Sequence, residues 1–597
     1  MPELHFKGKE YVYNHHLNVP FRPLIAQPDK SIGENSGNLI IHGDNLHALK
    51  ALLPHYAGKV DCIFIDPPYN TGNENWCYND NVNSPIIREW IDSNPVNKED
   101  MLKHDKWLCM MYPRLKLLHE LLADTGSFWM TLDDNEIHRA RMVLDEIFGE
   151  ENFVATCIWQ KKYSTKSDTR FFSESHEYLL VYAKDVDRIF FEGLTRTEAQ
   201  DAAYKNPDND SRGDWASDNL LRSEARGYAI YPVTSPNGEI YLPPPGTSWR
   251  YNKEKLDELL ADNRIWFGVD GTARPRLKRF LSEVQQSVPA QTIWGYSEVN
   301  HSDGAKKYLA EVFGGKGAPF ATPKPVELMK RVLQITTDKD SVILDSFAGS
   351  ATTAHAVLAQ NAKDGGNRKF ILVECEDYAD NLTAERVRRV INGYEFDGTQ
   401  KEELHREKIT WSNFSKDGPR HKLLQHVQSI ENIDGLRFDN IKKEIKDGEL
   451  IVTGEKKITE KVAGLGGGFT FYTLGEPLDI DKILTGETLP DYSALGAWLF
   501  HTATGQPLNV EQIDAERWYL GCSSQYHVWL IYQPDLDFLK SPQAALTLSA
   551  AESIGQSHKD KSHLVFAAAK YAPNRLLLPL GVEYAPLPFA LYRIEKD

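Results

Sequence analysis

A short apolar run that ends in two prolines is the feature that most constrains this chain. The run Val60-Asp-Cys-Ile-Phe-Ile65 is rich in β-branched and aromatic residues, a composition typical of a buried strand. It is followed by Asp66-Pro67-Pro68-Tyr69 and by the turn signal Asn-Thr-Gly72. A carboxylate and an aromatic ring are therefore expected at the carboxyl end of a strand, the edge at which open α/β sheets bind ligands.

The tetrapeptide suits attack by an amine whose lone pair is delocalised into an aromatic ring. Hydrogen bonds from the amine to the Asp66 carboxylate and to the Pro67 carbonyl would localise that lone pair, and Pro68, which follows, has no N–H. Tyr69 offers a flat face on which a base could stack. The alternative is a strand-ending turn without chemistry, and the four residues alone leave both interpretations open.

Length and charge bound the function only loosely. The 597 residues predict several domains, and a hydrophobic content of 41% is enough for large cores. The net charge of -17 is unusual for a protein that holds nucleic acid, but such binding needs a local basic surface rather than a basic total. Two clusters could supply that surface or could be solvated faces: Lys161, Lys162, Lys166 and Arg170, and then Arg274, Arg276, Lys278 and Arg279.

The cysteines and the apolar runs bear on the compartment. Six cysteines are scattered without a Cys-x-x-Cys pair, which argues against a disulfide framework or a zinc site and suits a reducing cytoplasm. No cluster of metal ligands is seen, so no metal is predicted. The sequence shows no signal peptide and no apolar run long enough to span a bilayer, so no membrane contact is expected.

Strands and helices alternate on both sides of a long insertion. Before it, strands are predicted over 38–41, 60–65, 127–132, 153–159 and 177–182, with helices over 98–123 and 135–148. Asp44 or Asn45 would cap the helix after the first strand. After the insertion, a helix is predicted from Pro325 to Leu333 and strands over 341–344 and 369–373. These units are expected to build one sheet.

The two later strands end in residues suited to a nucleoside. The first is followed by a glycine-containing loop that runs from Asp345 to Thr353, and such a turn before a helix lets backbone approach a ligand closely. The second ends in Glu374, where a carboxylate can accept hydrogen bonds from both ribose hydroxyls. The alternative for Glu374 is a solvated side chain.

The insertion, residues 186–300, has a different character. Basic and aromatic residues interleave there, which suits contact with phosphates and bases. The alternative is an ordinary insertion with a small core of its own, in which Trp249 and Trp266 are buried. Residues 396–597 carry no catalytic signature that we can identify.

Taken together, the motifs resemble those of one group of DNA-modifying enzymes. Asp66-Pro-Pro-Tyr69 looks like the catalytic motif of DNA amino-methyltransferases, and the stretch from Asn38 to Gly72 is similar to the modification (Mod) subunit of type III restriction–modification systems. The catalytic motif precedes the cofactor loop, with the insertion between them, which resembles the permuted β class. The specific motifs lie between about residues 38 and 395.

The resemblance implies an α/β fold, a Rossmann-like S-adenosylmethionine-dependent methyltransferase sheet with an inserted target-recognition domain and an α+β C-terminal domain. The implied bounds are 1–185 for the catalytic half, 186–300 for target recognition, 301–395 for the cofactor-binding half and 396–597 for interaction or dimerisation. The catalytic residues would be Asp66, Pro67, Pro68 and Tyr69. The cofactor-binding residues would be Asp44, Asp66, Lys324, Asp345, Phe347, Ala348, Gly349, Ser350, Thr352, Thr353 and Glu374.

The implied reaction is methylation of the N6 amine of adenine in duplex DNA after base flipping. In the family, Asp in the first place of the tetrapeptide goes with adenine and Ser with cytosine. A second copy and a restriction subunit with helicase and nuclease activity are the implied partners. Alternatives are methylation of cytosine or RNA, a stand-alone adenine methyltransferase, and a catalytically silent DNA-binding subunit of a nuclease.

One residue departs from the family pattern, since Ala351 stands where glycine is usual. Ala351 directly precedes residues 352–358, which are typical of a helix, and alanine is the best helix former. We therefore expect helical dihedral angles at Ala351 and intact binding of S-adenosylmethionine. On that basis Ala351→Gly should change cofactor binding little.

Overall fold

The fold separates into two compact units, Met1–Phe190 with Gln291–Asp597, and Phe191–Ala290. The computed structural model describes residues 3–33, 36–71, 102–165, 169–196, 201–284, 287–315, 317–395, 398–446, 448–458, 461–478 and 489–587. Residues 73–97, a polar stretch whose length predicts a loop near the substrate, and Lys166 lie outside these residues.

Ten strands of the described chain form the central sheet of the larger unit. They are β1 (Leu24–Ala26), β2 (Leu39–His42), β3 (Val60–Ile65), β4 (Leu122–Leu132), β5 (Phe153–Gln160), β6 (His176–Ala183), β7 (Ile293–Trp294), β8 (Val342–Asp345), β9 (Lys369–Glu374) and β10 (Thr470–Leu474). Their order is β1-β10-β2-β9-β8-β3-β4-β6-β5-β7. The six strands from β10 to β4 in this order run parallel, and β6 runs antiparallel to β4. Parallel strands place their carboxyl ends at one edge, which is where the predicted site residues lie.

Helices cover this sheet and bury its apolar residues. They are α1 (Asn45–Tyr56), α2 (Lys103–Leu121), α3 (Ile137–Phe148), α4 (Ser302–Val312), α5 (Val326–Thr336), α6 (Thr352–Asp364) and α7 (Glu385–Asn392). The core formed with the strands contains Trp107, Leu118 and Ile63, all 0% exposed. Burial of side chains of this size is what stabilises the two layers. The α/β class predicted from the sequence is confirmed, with element bounds that differ by a few residues.

One strand of the central sheet comes from a part of the chain that the sequence assigned elsewhere. Residues 396–597 were expected to form a separate C-terminal domain, but β10 pairs with β2 in parallel and with β1 in antiparallel orientation. The glycine run before β10 lets the chain pass close to Ile32, because a Cβ on Gly468 would lie 2.4 Å from the carbonyl oxygen of Ile32. A boundary at residue 396 therefore does not match the sheet.

The remaining C-terminal residues contain both helices and strands. Residues 398–458 form a three-stranded antiparallel sheet, Gly398–Lys408, Asn440–Lys446 and Glu449–Ile458, with the helix Asp417–Asp434. Further along lie α8 (Tyr492–Thr504), β11 (Tyr519–Cys522), β12 (Tyr526–Ile531), α9 (Leu548–Ser557), β13 (Ser562–Ala567) and β14 (Val582–Pro586). Strands β11 to β14 form one four-stranded sheet in chain order. No helix among the described residues is long and apolar enough to cross a bilayer.

The smaller unit is built from short strands around its own core. A three-stranded sheet joins Ile265–Trp266, Arg276–Phe280 and Trp215–Asp218, and a two-stranded pair joins Leu194–Thr195 to Ser287–Val288. Trp249 is 2% exposed and lies in a cluster with Leu256 and Ile265. This unit falls within the range 186–300 that the sequence singled out, and its role remains a prediction.

The cysteines differ in part from the expectation. In the described chain Cys62, Cys109, Cys157 and Cys522 are free, whereas Cys375 is disulfide-bonded. The scattered positions in the sequence did not predict that bond.

Candidate active site

Three carboxylates meet at the carboxyl edge of the parallel strands. Asp66 directly follows β3, Asp345 ends β8 and Glu374 ends β9, and these three strands are neighbours in the sheet. The residues border a cavity of about 560 Å³, a volume typical of small-molecule sites. The cavity is also lined by Pro67, Pro68, Tyr69, Lys324, Phe347, Ala348, Gly349, Ser350, Thr352 and Thr353. All predicted catalytic residues and all predicted cofactor residues except Asp44 therefore line one cavity.

Asp44 also lies at the carboxyl edge of the parallel strands, where it has a structural role. Its Oδ1 accepts a hydrogen bond from the backbone N–H of Leu46 at 2.8 Å, which caps α1, and another from Nη2 of Arg114 at 3.0 Å. Asp44 is not among the residues that line the cavity. The capping role expected from the sequence is confirmed, and the contact of Asp44 with a cofactor stays a prediction.

Both oxygens of the Asp66 carboxylate are engaged by side chains around the cavity. Oδ1 accepts hydrogen bonds from Thr131 Oγ1 at 2.5 Å and from the Tyr69 hydroxyl at 2.8 Å. Oδ2 accepts one from Nζ of Lys324 at 2.7 Å. The loop itself is anchored, because the indole N–H of Trp107 donates to the Pro68 carbonyl at 2.7 Å. Asp66 thus stands in a fixed position with an ammonium group beside it.

Glu177 is a second carboxylate in this network, and the sequence did not identify it. Its Oε2 accepts a hydrogen bond from the Tyr69 hydroxyl at 3.1 Å and lies 3.5 Å from Lys324 Nζ. Glu177 lies at the amino end of β6, and because β6 is antiparallel to β4, that end reaches the same edge as Asp66. The available signal in the sequence was a charged residue in the largely apolar segment His176–Ala183. The direction of the strand was needed to predict that this residue lies beside Asp66.

The charges of this network favour an ionised lysine and a neutral tyrosine. Burial lowers the pKa of Lys324, but the carboxylates of Asp66 and Glu177 outweigh it and hold the pKa above its ordinary value. Burial and the same two carboxylates raise the pKa of Tyr69 well above its ordinary value. Tyr69 therefore stays protonated, and its hydroxyl donates a hydrogen bond to a carboxylate.

The loop after β8 is held by the two other carboxylates. Asp345 accepts hydrogen bonds from the Phe347 N–H at 3.0 Å and from Thr353 Oγ1 at 2.5 Å. Glu374 accepts one from the Gly349 N–H at 2.7 Å. Burial raises the pKa of Asp345 and of Glu374 to about 7, although these hydrogen bonds act in the opposite direction.

The backbone of Ala351 differs from the expectation. Ala351 has φ 59° and ψ 38°, in the left-handed region, and α6 begins one residue later at Thr352. The prediction of helical dihedral angles is therefore wrong, because Ala351 belongs to the turn and not to the helix. Its N–H donates to the Ala348 carbonyl at 2.8 Å, which closes that turn. A left-handed alanine is strained because its Cβ crowds the following carbonyl oxygen.

We expect Ala351→Gly to leave the free energy of unfolding unchanged or slightly higher. Relief of left-handed strain, about 1–2 kcal/mol, offsets the loss of a buried methyl group, about 0.8 kcal/mol. Ala354→Gly is the matched control, since Ala354 is equally buried but lies within α6, and it should destabilise by about 1–2 kcal/mol. Denaturant unfolding compares the two, and equal losses would contradict the account. Calorimetric titration of S-adenosylmethionine into the natural chain and into Ala351→Gly tests whether the alanine impairs binding.

The two basic clusters are only partly available to a nucleic acid. Lys161 pairs with Glu177 and with Glu174, each at 3.2 Å. Lys278 has a 0% exposed side chain and pairs with Asp208 and Asp210. Both lysines are thus structural, because their ammonium groups are bound by carboxylates of the protein. The other described members, Lys162, Arg170, Arg274, Arg276 and Arg279, are at least partly exposed and remain predicted DNA contacts.

Away from the cavity, one group of described residues could hold a metal ion. The ligand atoms of His527, His558 and Asp560 all lie within 4.8 Å of one another. Hydrogen bonds already satisfy His527, whose Nδ1 lies 2.9 Å from the Tyr519 hydroxyl and whose Nε2 lies 2.9 Å from Asp560. The sequence predicted no metal: His558 and Asp560 are close in the sequence, but His527 lies on β12, and only the fold brings it beside them.

Comparison with known proteins places the site within one family. The model of a family described as DNA methylase matches residues 60–385. The type III restriction-modification enzyme StyLTI Mod subunit of Salmonella typhimurium is 36% identical, with 68% of this chain and 62% of that protein covered. The EcoPI Mod subunit of Escherichia phage P1 is 33% identical, with 63% of each covered. The type II methyltransferase M.KpnI of Klebsiella pneumoniae is 30% identical, with 57% of this chain and 81% of that protein covered. The chain therefore spans less than two thirds of the length of the two Mod subunits.

Proposed function

Because this chain belongs to the DNA methylase family, whose model matches residues 60–385, we propose that it methylates the N6 amine of adenine in duplex DNA. S-adenosylmethionine would be the methyl donor. The observation that carries the proposal is the shared cavity, which brings Asp66-Pro-Pro-Tyr69 next to Glu374 and the loop after β8. A nucleophile and a donor bound at these two groups of residues would be adjacent, and such positioning supplies much of the rate of a transfer.

The residues of the cavity fit S-adenosylmethionine. Glu374 is a buried carboxylate at a strand end, suited to accept hydrogen bonds from ribose hydroxyls, and Phe347 offers an aromatic surface. Gly349 has φ 49°, and the absence of a side chain there lets the loop backbone come close to a ligand. The bound cofactor would supply a methyl group on a sulfonium sulfur.

The tetrapeptide would handle the base. Adenine within a duplex is out of reach, so it must be flipped into the cavity. The Asp66 carboxylate and the Pro67 carbonyl would then accept hydrogen bonds from the N6 amine and direct its lone pair towards the methyl group. Asp66 can also take the proton that the amine loses, and Tyr69 would stack on the base.

The affinity for S-adenosylmethionine should rise with pH. Glu374 and Asp345 both have a pKa near 7, raised by burial, so they are protonated below that pH and ionised above it. A ligand whose hydroxyls donate to the ionised Glu374 should bind about tenfold more tightly near pH 8 than near pH 6. Calorimetry on the natural chain and on Glu374→Gln checks this, because the variant should lose most of the dependence. Equal affinity at both pH values would contradict it.

The similarity to Mod subunits supports a proposal about partners. The relatives are named as subunits of type III restriction-modification enzymes. We place this chain in such an assembly, with residues beyond β10 making contacts to a second copy and to a restriction subunit. Sedimentation of the full chain tests the homodimer directly. A stand-alone adenine methyltransferase is the remaining alternative. The similarity to M.KpnI, which is named as a type II methyltransferase, supports this alternative.

Product analysis tests the reaction. The full chain is incubated with S-adenosylmethionine and DNA from a host that lacks adenine methylation, and the digested nucleosides are identified by mass spectrometry. The proposal predicts N6-methyl-2′-deoxyadenosine as the product. N4-methyl-2′-deoxycytidine would show that the amine of cytosine is the substrate, and absence of any methylated nucleoside would support the silent-subunit alternative.

A further inference from the structure

The side chains around Asp66 leave its carboxylate occupied where the target amine has to bind. Oδ1 receives hydrogen bonds from Thr131 and Tyr69, and Oδ2 receives the ammonium group of Lys324. A carboxylate oxygen has about two acceptor sites, so Oδ1 is full. An amine must therefore approach Oδ2, next to a positive charge that weakens the carboxylate as an acceptor and opposes the positive charge developing on the attacking nitrogen.

Among the described carboxylates that line the cavity, Glu177 already contacts two of the three groups bound to Asp66, namely Tyr69 and Lys324. Its Oε2 accepts from the Tyr69 hydroxyl at 3.1 Å and lies 3.5 Å from Lys324 Nζ. Its Oε1 is fixed separately by Lys161 at 3.2 Å. A shift of Lys324 from Asp66 to Glu177 is small, because its Nζ lies 2.7 Å from the first carboxylate and 3.5 Å from the second. Lys324 exchanges one ion pair for another, and Asp66 keeps the hydrogen bond from Thr131 and gains one from the amine.

Resting on the proposed function, we propose that Glu177 is a positioning residue that takes over the ammonium group of Lys324 and the hydrogen bond of the Tyr69 hydroxyl from Asp66 when the target amine binds. In the resting arrangement the ammonium group of Lys324 holds the Asp66 carboxylate in place. When the base enters, Glu177 receives the ammonium group, and the hydroxyl of Tyr69 donates to Glu177 alone. Asp66 is then free to accept the amine, and Lys324 and Tyr69 each keep a carboxylate partner.

Glu177→Gln should lower the rate of the methyl-transfer step and leave cofactor binding nearly unchanged. The neutral amide cannot compensate the charge of Lys324, so the lysine stays on Asp66. We expect a loss of about tenfold or more in the single-turnover rate at saturating DNA, the typical effect of a hydrogen bond to a charged group. Glu174→Gln is the matched control, because Glu174 also pairs with Lys161 but is not in contact with Lys324 in this network.

A double-mutant cycle separates this role from a structural one. If Glu177 acts by receiving Lys324, most of the loss caused by Glu177→Gln should disappear in a Lys324→Met background. A merely structural glutamate would cause the same loss in both backgrounds, so additive effects would overturn the proposal. Retention of the natural rate by Glu177→Gln would overturn it as well.

A crystal structure of the natural chain shows the position of Lys324 directly, and this measurement requires neither catalytic turnover nor a substituted chain. The natural chain would be crystallised with a bisubstrate analogue in which the N6 atom of adenosine is linked to the donor's amino-acid and adenosyl parts. Lys324 Nζ should then lie within hydrogen-bond distance of Glu177 and no longer of Asp66. A complex in which Lys324 remains on Asp66 would overturn the proposal. Failure of the proposed function appears differently, as a chain that yields no N6-methyl-2′-deoxyadenosine with any DNA.

Discussion

Asp66→Ala is expected to lower the rate of methyl transfer by about 10²–10⁴-fold, the range typical of a positioned acid–base group. The variant removes the acceptor that directs the amine of the base. Lys324 keeps Glu177 as a partner at 3.5 Å, so no buried charge is left alone and the chain should still fold. Binding of S-adenosylmethionine and of DNA should persist, as measured by calorimetry and by gel shift.

Asp61→Ala is the control on the same strand. Asp61 lies at the amino end of β3, and its Oδ2 accepts a hydrogen bond from the Val342 N–H at 2.8 Å. Its removal should cost about 1 kcal/mol of stability but leave transfer intact. A nearly natural rate in Asp66→Ala, or equal losses in the two variants, would show that Asp66 is structural.

Exchange of residues 191–290 for the matching unit of a relative is expected to move the methylated sequence completely. These residues form a compact unit with a core of their own around Trp249 and Leu256. The pair of Leu194–Thr195 with Ser287–Val288 lies at the two ends of the unit, so junctions just outside it preserve that pairing. The exposed arginines Arg274, Arg276 and Arg279 are the predicted contacts within the unit.

Sequencing of methylated bases before and after the exchange measures the effect. The chain with the exchanged unit should methylate the relative's sequence at a comparable rate, because all residues that line the cavity remain. A functional exchange that leaves the methylated sequence unchanged would show that recognition lies elsewhere in the chain.

The strand ends could be predicted from the sequence, whereas the network around them could not. Asp66, Asp345 and Glu374 each follow an apolar run, and parallel strands bring such ends together. Glu177 reaches the same edge only because β6 is antiparallel, and Thr131 lies beside Asp66 through the register of β4. Pairing across strands of this kind depends on tertiary structure, and nothing local in the sequence encodes it.

Two further residues show where local reasoning fails. Ala351 has the propensity of a helix residue, but the turn that positions Gly349 extends one residue further and forces a left-handed backbone. Lys278 belongs to a basic run in the sequence, yet its side chain is buried and pairs with Asp208 and Asp210, while Arg279 beside it is exposed. Lysine is rarely buried unless it is paired, and its two acidic partners lie far away in the sequence, so a basic cluster in sequence is not a basic surface.

The most direct test of the central claim is the methylation pattern of DNA from a host that expresses the natural chain. Single-molecule sequencing should find N6-methyladenine at one recurrent sequence, and the same host expressing Asp66→Ala should show none. N4-methylcytosine instead of N6-methyladenine, or the same pattern with both chains, would contradict the assignment of Asp66-Pro-Pro-Tyr69 as the site of adenine methylation.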